Sequence, residues 1–261
     1  MTSTMFRTGS PVVLAPRGGT VGVAENSRQA VGTMLACGVT TMETDLRATS
    51  DGVAVLAHDV TLERRFTDPR RVSDVTWWEL DLIPDVDHQP ALRLVDLLAD
   101  FPTLRVNIDL KSDDVVAPTL RAVREAGAAD RVLLTSFSSR RLAIAERITR
   151  NRTALGTGMA DAARLLAESR GLVSLARRST RTPPPTGRAV QVPLRFKGVD
   201  VVTPRFLELA HEREHVVHVW TINDPSEMHR LLDLGVDGIV TDDPAAAVGV
   251  WAERGLEPAP L

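Results

Sequence analysis

Cysteine is nearly absent from this chain of 261 residues. Cys37 is the only one, which excludes an internal disulfide framework and fits a reducing compartment. Lysine is almost as scarce: of 31 basic residues only Lys111 and Lys197 are lysines, so the position of each is more informative than in an average sequence. No apolar run approaches the roughly 18 residues that span a bilayer, and residues 1–11 lack the apolar stretch of a secretory signal. Charge of one sign is not in excess either. Thirty-one basic and 34 acidic residues leave a formal net charge of −3, with no global pull toward nucleic acid or anionic membrane. These absences predict a cytoplasmic protein with no nucleic-acid partner and no stable membrane insertion; they leave the oligomeric state open.

What the chain does contain is enough to fold. At 43% apolar and 25% charged it is too hydrophobic for disorder and long enough for a substantial core. Short β-branched runs at 12–15, 40–46, 104–110, 131–135, 153–156, 216–221 and 238–241, with another between 189 and 202, alternate with helical patterns such as 27–37, 115–126, 140–150, 204–213 and 225–234. Asn26 followed by Gln29 has the form of a helix N-cap with its reciprocal partner, and Gly127, Gly235 and the region of Gly171 supply helix stops. Eight strand–helix units in about 250 residues predict one α/β domain over residues 1–261, a (β/α)8 TIM barrel. The proline- and arginine-rich stretch within 171–187 reads as an exposed loop. The interval after the second strand is too long for an ordinary loop. It predicts a small insertion over roughly 47–91 with its own apolar alternation at 53–58 and a helical piece at 76–80, placed at the mouth of the barrel.

Strand alternation brings chemistry to that mouth. Glu43 and Asp45 stand two apart on the second strand and share a face; Asp109 and Lys111 do the same on the third, with Asn107 extending the row downward. Three converging carboxylates repel one another unless a cation lies between them, and hard oxygen donors favour Mg2+ or Ca2+. The plainer alternative is ordinary polar strand ends facing water. Lys111 could bind a phosphate oxygen as a point charge. Arg17, followed by Gly18 and Gly19, could grip two phosphate oxygens where the backbone approaches closely, or simply form a turn. His58, beside Asp59, offers an imidazole for proton transfer near neutrality, or a surface pair.

In order along the chain stand PVVLAPRGG, AENS at 24–27, METDLRATSDGVAVLAHD at 42–59, NIDLK at 107–111, HVWTIND at 218–224 and GVDGIVTDDP at 235–244. Together these resemble the glycerophosphodiester phosphodiesterase family, relatives of phosphatidylinositol-specific phospholipase C. The resemblance covers nearly the whole chain. It implies a (β/α)8 barrel with a small insertion after the second strand, and a small-molecule phosphodiester as substrate. It further implies that Glu43, Asp45 and Asp109 hold a divalent metal, Mg2+ or Ca2+. Arg17 and Lys111 would contact the phosphate, His58 would be one of two catalytic histidines, Glu25 would lie at the barrel mouth, and Trp220 would line the glycerol pocket.

Three departures accompany the resemblance. The family opens on His-Arg-Gly, and here Pro16 stands at the histidine position. Proline can neither carry a proton nor donate a hydrogen bond. The usual glutamate of the NIDLK segment is Asp109, one methylene shorter, and the segment 83–92 is trimmed. No other histidine is an evident substitute: His218 is expected deep in the barrel, His211, His215 and His229 on solvated outer helices, and His88 after the insertion. Three functions follow: a metal-dependent phosphodiesterase releasing glycerol 3-phosphate with altered or impaired turnover, a non-catalytic phosphodiester-binding relative, or a lyase forming a cyclic phosphate.

Overall fold

The computed structural model describes residues 9–19, 21–150, 152–172 and 186–257. Most of the proline- and arginine-rich stretch, residues 173–185, and most of the N-terminal stretch, residues 1–8, therefore lie outside the described residues. Along the chain the first strands are β1 (Val12–Pro16), β2 (Thr41–Ala48), β3 (Ala54–Leu56), β4 (Arg105–Leu110), β5 (Val132–Thr135) and β6 (Ala154–Leu155). They are followed by β7 (Ala189–Pro193), β8 (Arg195–Phe196), β9 (Val199–Asp200), β10 (Val216–Trp220) and β11 (Gly238–Val240). Eight of them run parallel in the order β6-β5-β4-β2-β1-β11-β10-β7. A parallel bridge between Gly156 and Ala189 joins the two ends into a ring. Glycine is required at that seam, because a Cβ on Gly156 would meet Thr135 Cγ2 at 2.8 Å. The result is the expected (β/α)8 barrel with a small insertion after its second strand.

The helices are α1 (Arg28–Ala36), α2 (Glu63–Phe66), α3 (Trp77–Asp81), α4 (Leu94–Asp100), α5 (Val116–Glu125), α6 (Ser139–Thr149) and α7 (Met159–Ser169), then α8 (Pro204–Glu212), α9 (Pro225–Leu234) and α10 (Pro244–Glu253). Their boundaries follow local chemistry. Helix α9 starts with Asp224 accepting from Ser226 N, has proline in its first turn, and ends on Gly235 in the left-handed region at φ 88°. In α5, Val116, Thr119, Leu120 and Val123 recur on one face and are buried against the sheet. One boundary differs from expectation: Ser27, not Asn26, caps α1, accepting from Ala30 N at 3.0 Å. Asn26 is itself left-handed at φ 56° and fully buried, and its Oδ1 accepts from Thr44 Oγ1 at 2.8 Å. It serves the loop above β1 instead of the helix.

The main core lies between the sheet and the surrounding helices, around Met34, Met42, Leu97, Ile108, Leu134 and Phe206. Burying one large side chain such as Phe206 contributes about 2–3 kcal/mol. Inside the ring a separate cluster joins Val12, Leu14 and Val240, with Trp220 packed on it. The insertion carries its own core of Val55, Leu62, Phe66, Val72, Val75, Leu80 and Ala91, and β3 pairs antiparallel with β2 to root it on the barrel. Helix α3 is fixed by a reciprocal cap between Thr76 and Glu79. Among the described residues, no helix is long and apolar enough to cross a membrane.

Candidate active site

Strand register sets the rows of the mouth. Pro16 pairs with Glu43 and Glu43 with Asn107; one layer higher, Asp45 pairs with Asp109. Paired residues of neighbouring strands share a face, so the acids predicted on β2 and β4 meet inside the ring. Above β1 the chain turns sharply. Arg17, Gly18 and Gly19 all have positive φ (56°, 88° and 85°), a run that costs little only at the glycines. Arg17 N donates to Glu43 O at 2.6 Å, and Arg17 O accepts from Asn26 N at 2.8 Å. Both bonds hold the arginine over the opening, and its left-handed backbone is the strain that this placement costs.

The side chains then form a continuous series of ion pairs. Lys111 Nζ lies 2.7 Å from Asp45 Oδ1 and 2.7 Å from Asp109 Oδ2. Arg17 Nε stands 3.6 Å from Asp45 Oδ2, while its Nη1 is 2.8 Å from Glu25 Oε2. Glu25 also receives Arg64 Nη2 at 2.6 Å, and Arg64 Nε is 2.5 Å from Asp59 Oδ2. Asp59 Oδ1 is 2.8 Å from Nδ1 of His58. Six of the sequence candidates (Arg17, Glu25, Asp45, His58, Asp109 and Lys111) are therefore joined through Arg64 and Asp59. Glu43 stays outside the series, although it lies beside it.

The electrostatics follow from crowding. Burial, then the charges of Asp45 and Asp109, push the Glu43 carboxyl well above the usual carboxylate range. Burial also raises Asp109, and its pair with Lys111 does not fully offset this because Asp45 opposes it. Lys111 and Arg17 are depressed by burial, yet their carboxylate partners outweigh that and hold both above their ordinary values. In Glu25 and Asp59 the same contest ends the other way: burial raises them, and the arginines, with His58 for Asp59, bring them below it. Glu25 and Asp59 are thus firmly ionised. A carboxylate can only accept, so the Nδ1 of His58 carries the proton in that hydrogen bond and Nε2 is left to exchange protons.

These contacts bear on two expectations. Lys111 stands beside the acids, and its ammonium bridges Asp45 and Asp109. The predicted metal cluster must be weighed against this. Among the described residues, no group of three or more such acids stands in ion-holding geometry as the side chains lie. The donor set nevertheless suits a hard divalent cation. Asp109 Oδ1 is buried with no partner, and Glu43 contributes a second carboxylate outside the ion-pair series.

The remaining candidates fall as follows. Trp220 ends β10 beside Pro193 and packs on the inner cluster, partly open to the mouth. His218, two residues below it, is fully buried as expected; its Nδ1 accepts from Gln191 Nε2 at 3.1 Å, and burial lowers it to about 4. His211 and His229 make outer pairs with Asp237 and Glu253. His215 is not solvated as expected but buried, accepting from Arg188 N. His88 is exposed in a turn whose backbone N donates to Asp85 O, outside the ion-pair series of the mouth. Pro16 remains the only occupant of its inward position, and none of these histidines joins it. Sequence reasoning missed Arg64. The only signal for it was a pair of adjacent arginines just after His58-Asp59.

Comparison with known proteins bears on the whole barrel. Residues 17–246 match the model of the Glycerophosphoryl diester phosphodiesterase family. The chain is 37% identical over 255 residues to a Mycobacterium tuberculosis protein named "Probable glycerophosphodiester phosphodiesterase 2", covering 94% of this chain and 95% of that one. A glycerophosphodiester phosphodiesterase of Caldanaerobacter subterraneus is 25% identical over 259 residues, with 94% and 99% covered. Among solved structures, an Oleispira antarctica phosphodiesterase in complex with the product sn-glycerol-3-phosphate superposes with a TM-score of 0.76 at 18% identity, covering 95% of this chain and 99% of that one. At that identity the likeness speaks for the fold.

Proposed function

Since the chain belongs to the glycerophosphoryl diester phosphodiesterase family, we propose that it hydrolyses a glycerophosphodiester to glycerol 3-phosphate and an alcohol, with His58 as its one proton-transferring imidazole. The observation that carries this reading is the clamped histidine: Asp59 holds Nδ1 at 2.8 Å, which leaves Nε2 for the reaction. Arg17 and Lys111 grip the phosphate in this account. Each would exchange part of its carboxylate contact for a phosphate oxygen, and the guanidinium can do so bidentately. Trp220 forms an apolar wall for the glycerol moiety.

Glu43, Asp45 and Asp109 would hold Mg2+ or Ca2+, in competition with the Lys111 ammonium for the last two. When bound, such an ion polarises a phosphoryl oxygen and offsets the charge that builds there. The chain's own residues do the rest. His58 takes a proton of the attacking water at Nε2 and Asp59 stabilises the imidazolium so formed. With Pro16 in the companion position, the same ring must then return the proton to the departing alkoxide. One imidazole serving both ends makes turnover slower, by about 10²–10⁴ on the general acid–base scale. A cytoplasmic location belongs to this reading and rests on composition, with Cys37 free.

A second reading, a binding protein that retains phosphate grips without turnover, is favoured by Pro16 alone. One assay separates them. Glycerol 3-phosphate release from glycerophosphodiesters is measured with Mg2+ or Ca2+ for the unmodified chain and for His58→Ala. The expected result is slow release, lost by about 10²-fold or more in the variant. Phosphate binding without release supports the binding protein, and accumulation of a cyclic phosphate instead of the monoester supports the lyase.

A further inference from the structure

Helix α2 is a single turn, and its two central arginines point into different surroundings. Arg65 is buried, with its Nε donating to Asp85 Oδ2 at 3.0 Å, and Asp85 Oδ1 in turn accepts from Gln89 N at 2.7 Å. Leu62 and Phe66 on either side are buried in the core of the insertion. Arg64 therefore leaves a backbone that is pinned on both sides, yet its own side chain is about half exposed (53%) at the mouth. From there it reaches two carboxylates on separate segments. Its Nε meets Asp59 Oδ2 at 2.5 Å, and its Nη2 meets Glu25 Oε1 at 2.6 Å, with Nη1 at 3.3 Å from Glu25 Oε2. Each carboxylate spends its other oxygen on a functional side chain: Asp59 Oδ1 on His58 and Glu25 Oε2 on Arg17.

We propose that Arg64 is a positioning residue that sets the proton-transferring histidine and the phosphate-gripping arginine in one fixed relation. The geometry stands by itself; the roles of His58 and Arg17 rest on the phosphodiesterase reading above. A planar guanidinium can hold two carboxylates in set directions at once, which a lysine ammonium on a flexible stem does less well. With Arg64 in place, Asp59 cannot rotate its second oxygen to water and stays aligned on His58 Nδ1. Glu25 divides its charge between two arginines, so Arg17 is held without being wholly neutralised. Without Arg64, Asp59 turns freely, His58 loses its fixed tautomer, and the whole charge of Glu25 falls to Arg17. An exposed arginine contributes little to global stability, so these changes are local.

Arg64→Gln and Arg64→Lys in the full chain test this by two readouts that need no turnover. The first is the protonation of His58, read from its ring nitrogens by 15N NMR near neutral pH. The second is affinity for inorganic phosphate by calorimetry. The unmodified chain should show His58 protonated on Nδ1, with Arg64→Gln moving the population toward Nε2 and weakening phosphate binding about tenfold, roughly 1.4 kcal/mol. Arg64→Lys should restore one readout more than the other, because an ammonium cannot serve both carboxylates equally. The thermal midpoint should move by no more than a degree or two. An unchanged His58 tautomer together with unchanged phosphate affinity in Arg64→Gln would overturn the proposal. So would equal losses in both readouts tracking a large fall in the thermal midpoint, which is the signature of a structural role. Failure of the phosphodiesterase reading shows up separately, as absent glycerol 3-phosphate release in a chain whose His58 tautomer still answers to Arg64.

Discussion

The two rims of the barrel mouth are built on opposite plans. The rim above β1 is shaped by backbone: Arg17, Gly18 and Gly19 lie in the left-handed region, and the turn brings an arginine over the acids. Its Pro16 offers no chemistry of its own. The rim contributed by the insertion is shaped by side chains: the buried Arg65–Asp85 pair and a small apolar core hold α2, and α2 carries the arginine that steadies Asp59 and His58. On the proposed reading the first rim carries the phosphate grip and has proline in place of a second proton carrier, while the second carries His58 and supports it with a network. The two rims meet only at Arg64 among the contacts described above, which joins Glu25 on one side to Asp59 on the other.

Different substitutions should therefore break the two rims. The larger stability effect belongs to the insertion. Asp85→Ala leaves the Arg65 charge buried without its partner, which costs about 3–5 kcal/mol. Denaturant unfolding should read this loss, and limited proteolysis should cut within 47–91 before the barrel. Retention of full stability would show that the insertion rim does not depend on that pair. A smaller effect is expected at the other rim. A Cβ on Gly18 would come within 2.8 Å of Ala30 Cβ at a φ of 88°, so Gly18→Ala should cost about 1–3 kcal/mol. It should also displace Arg17 and weaken phosphate binding while leaving the His58 tautomer unchanged. A change at His58 as large as the change at Arg17 would show that displacement of the first rim is carried through Arg64 into the second.

How much of this was legible in the sequence depends on how far apart the interacting residues lie. The barrel was readable because each strand and helix carries its own period, and the insertion because its length exceeds any ordinary loop. Glu43 with Asp45, and Asp109 with Lys111, were readable because a spacing of two fixes a shared face whatever the tertiary detail. The start of α1 was misplaced by one residue, because Asn26 and Ser27 are equally good caps locally and only the buried partner Thr44 distinguishes them. The occupation of Lys111 was not legible, since strand alternation shows which face a side chain takes but not which charge it will choose. His215 was read as solvated from its place after a helix, where the structure buries it beside Arg188. Arg64 was least legible of all. Its partners stand 39 and 5 residues away, and no periodicity links a one-turn helix in an insertion to a loop above β1.

On the proposed reading, catalysis rests on His58 alone because its companion position holds proline. The most direct measurement is the rate of glycerol 3-phosphate release by Pro16→His compared with the unmodified chain under the same Mg2+ or Ca2+ conditions. The expected result is a gain of about 10²-fold or more, reversed when His58→Ala is added. A Pro16→His chain no faster than the unmodified one, with its fold and phosphate affinity intact, would contradict it.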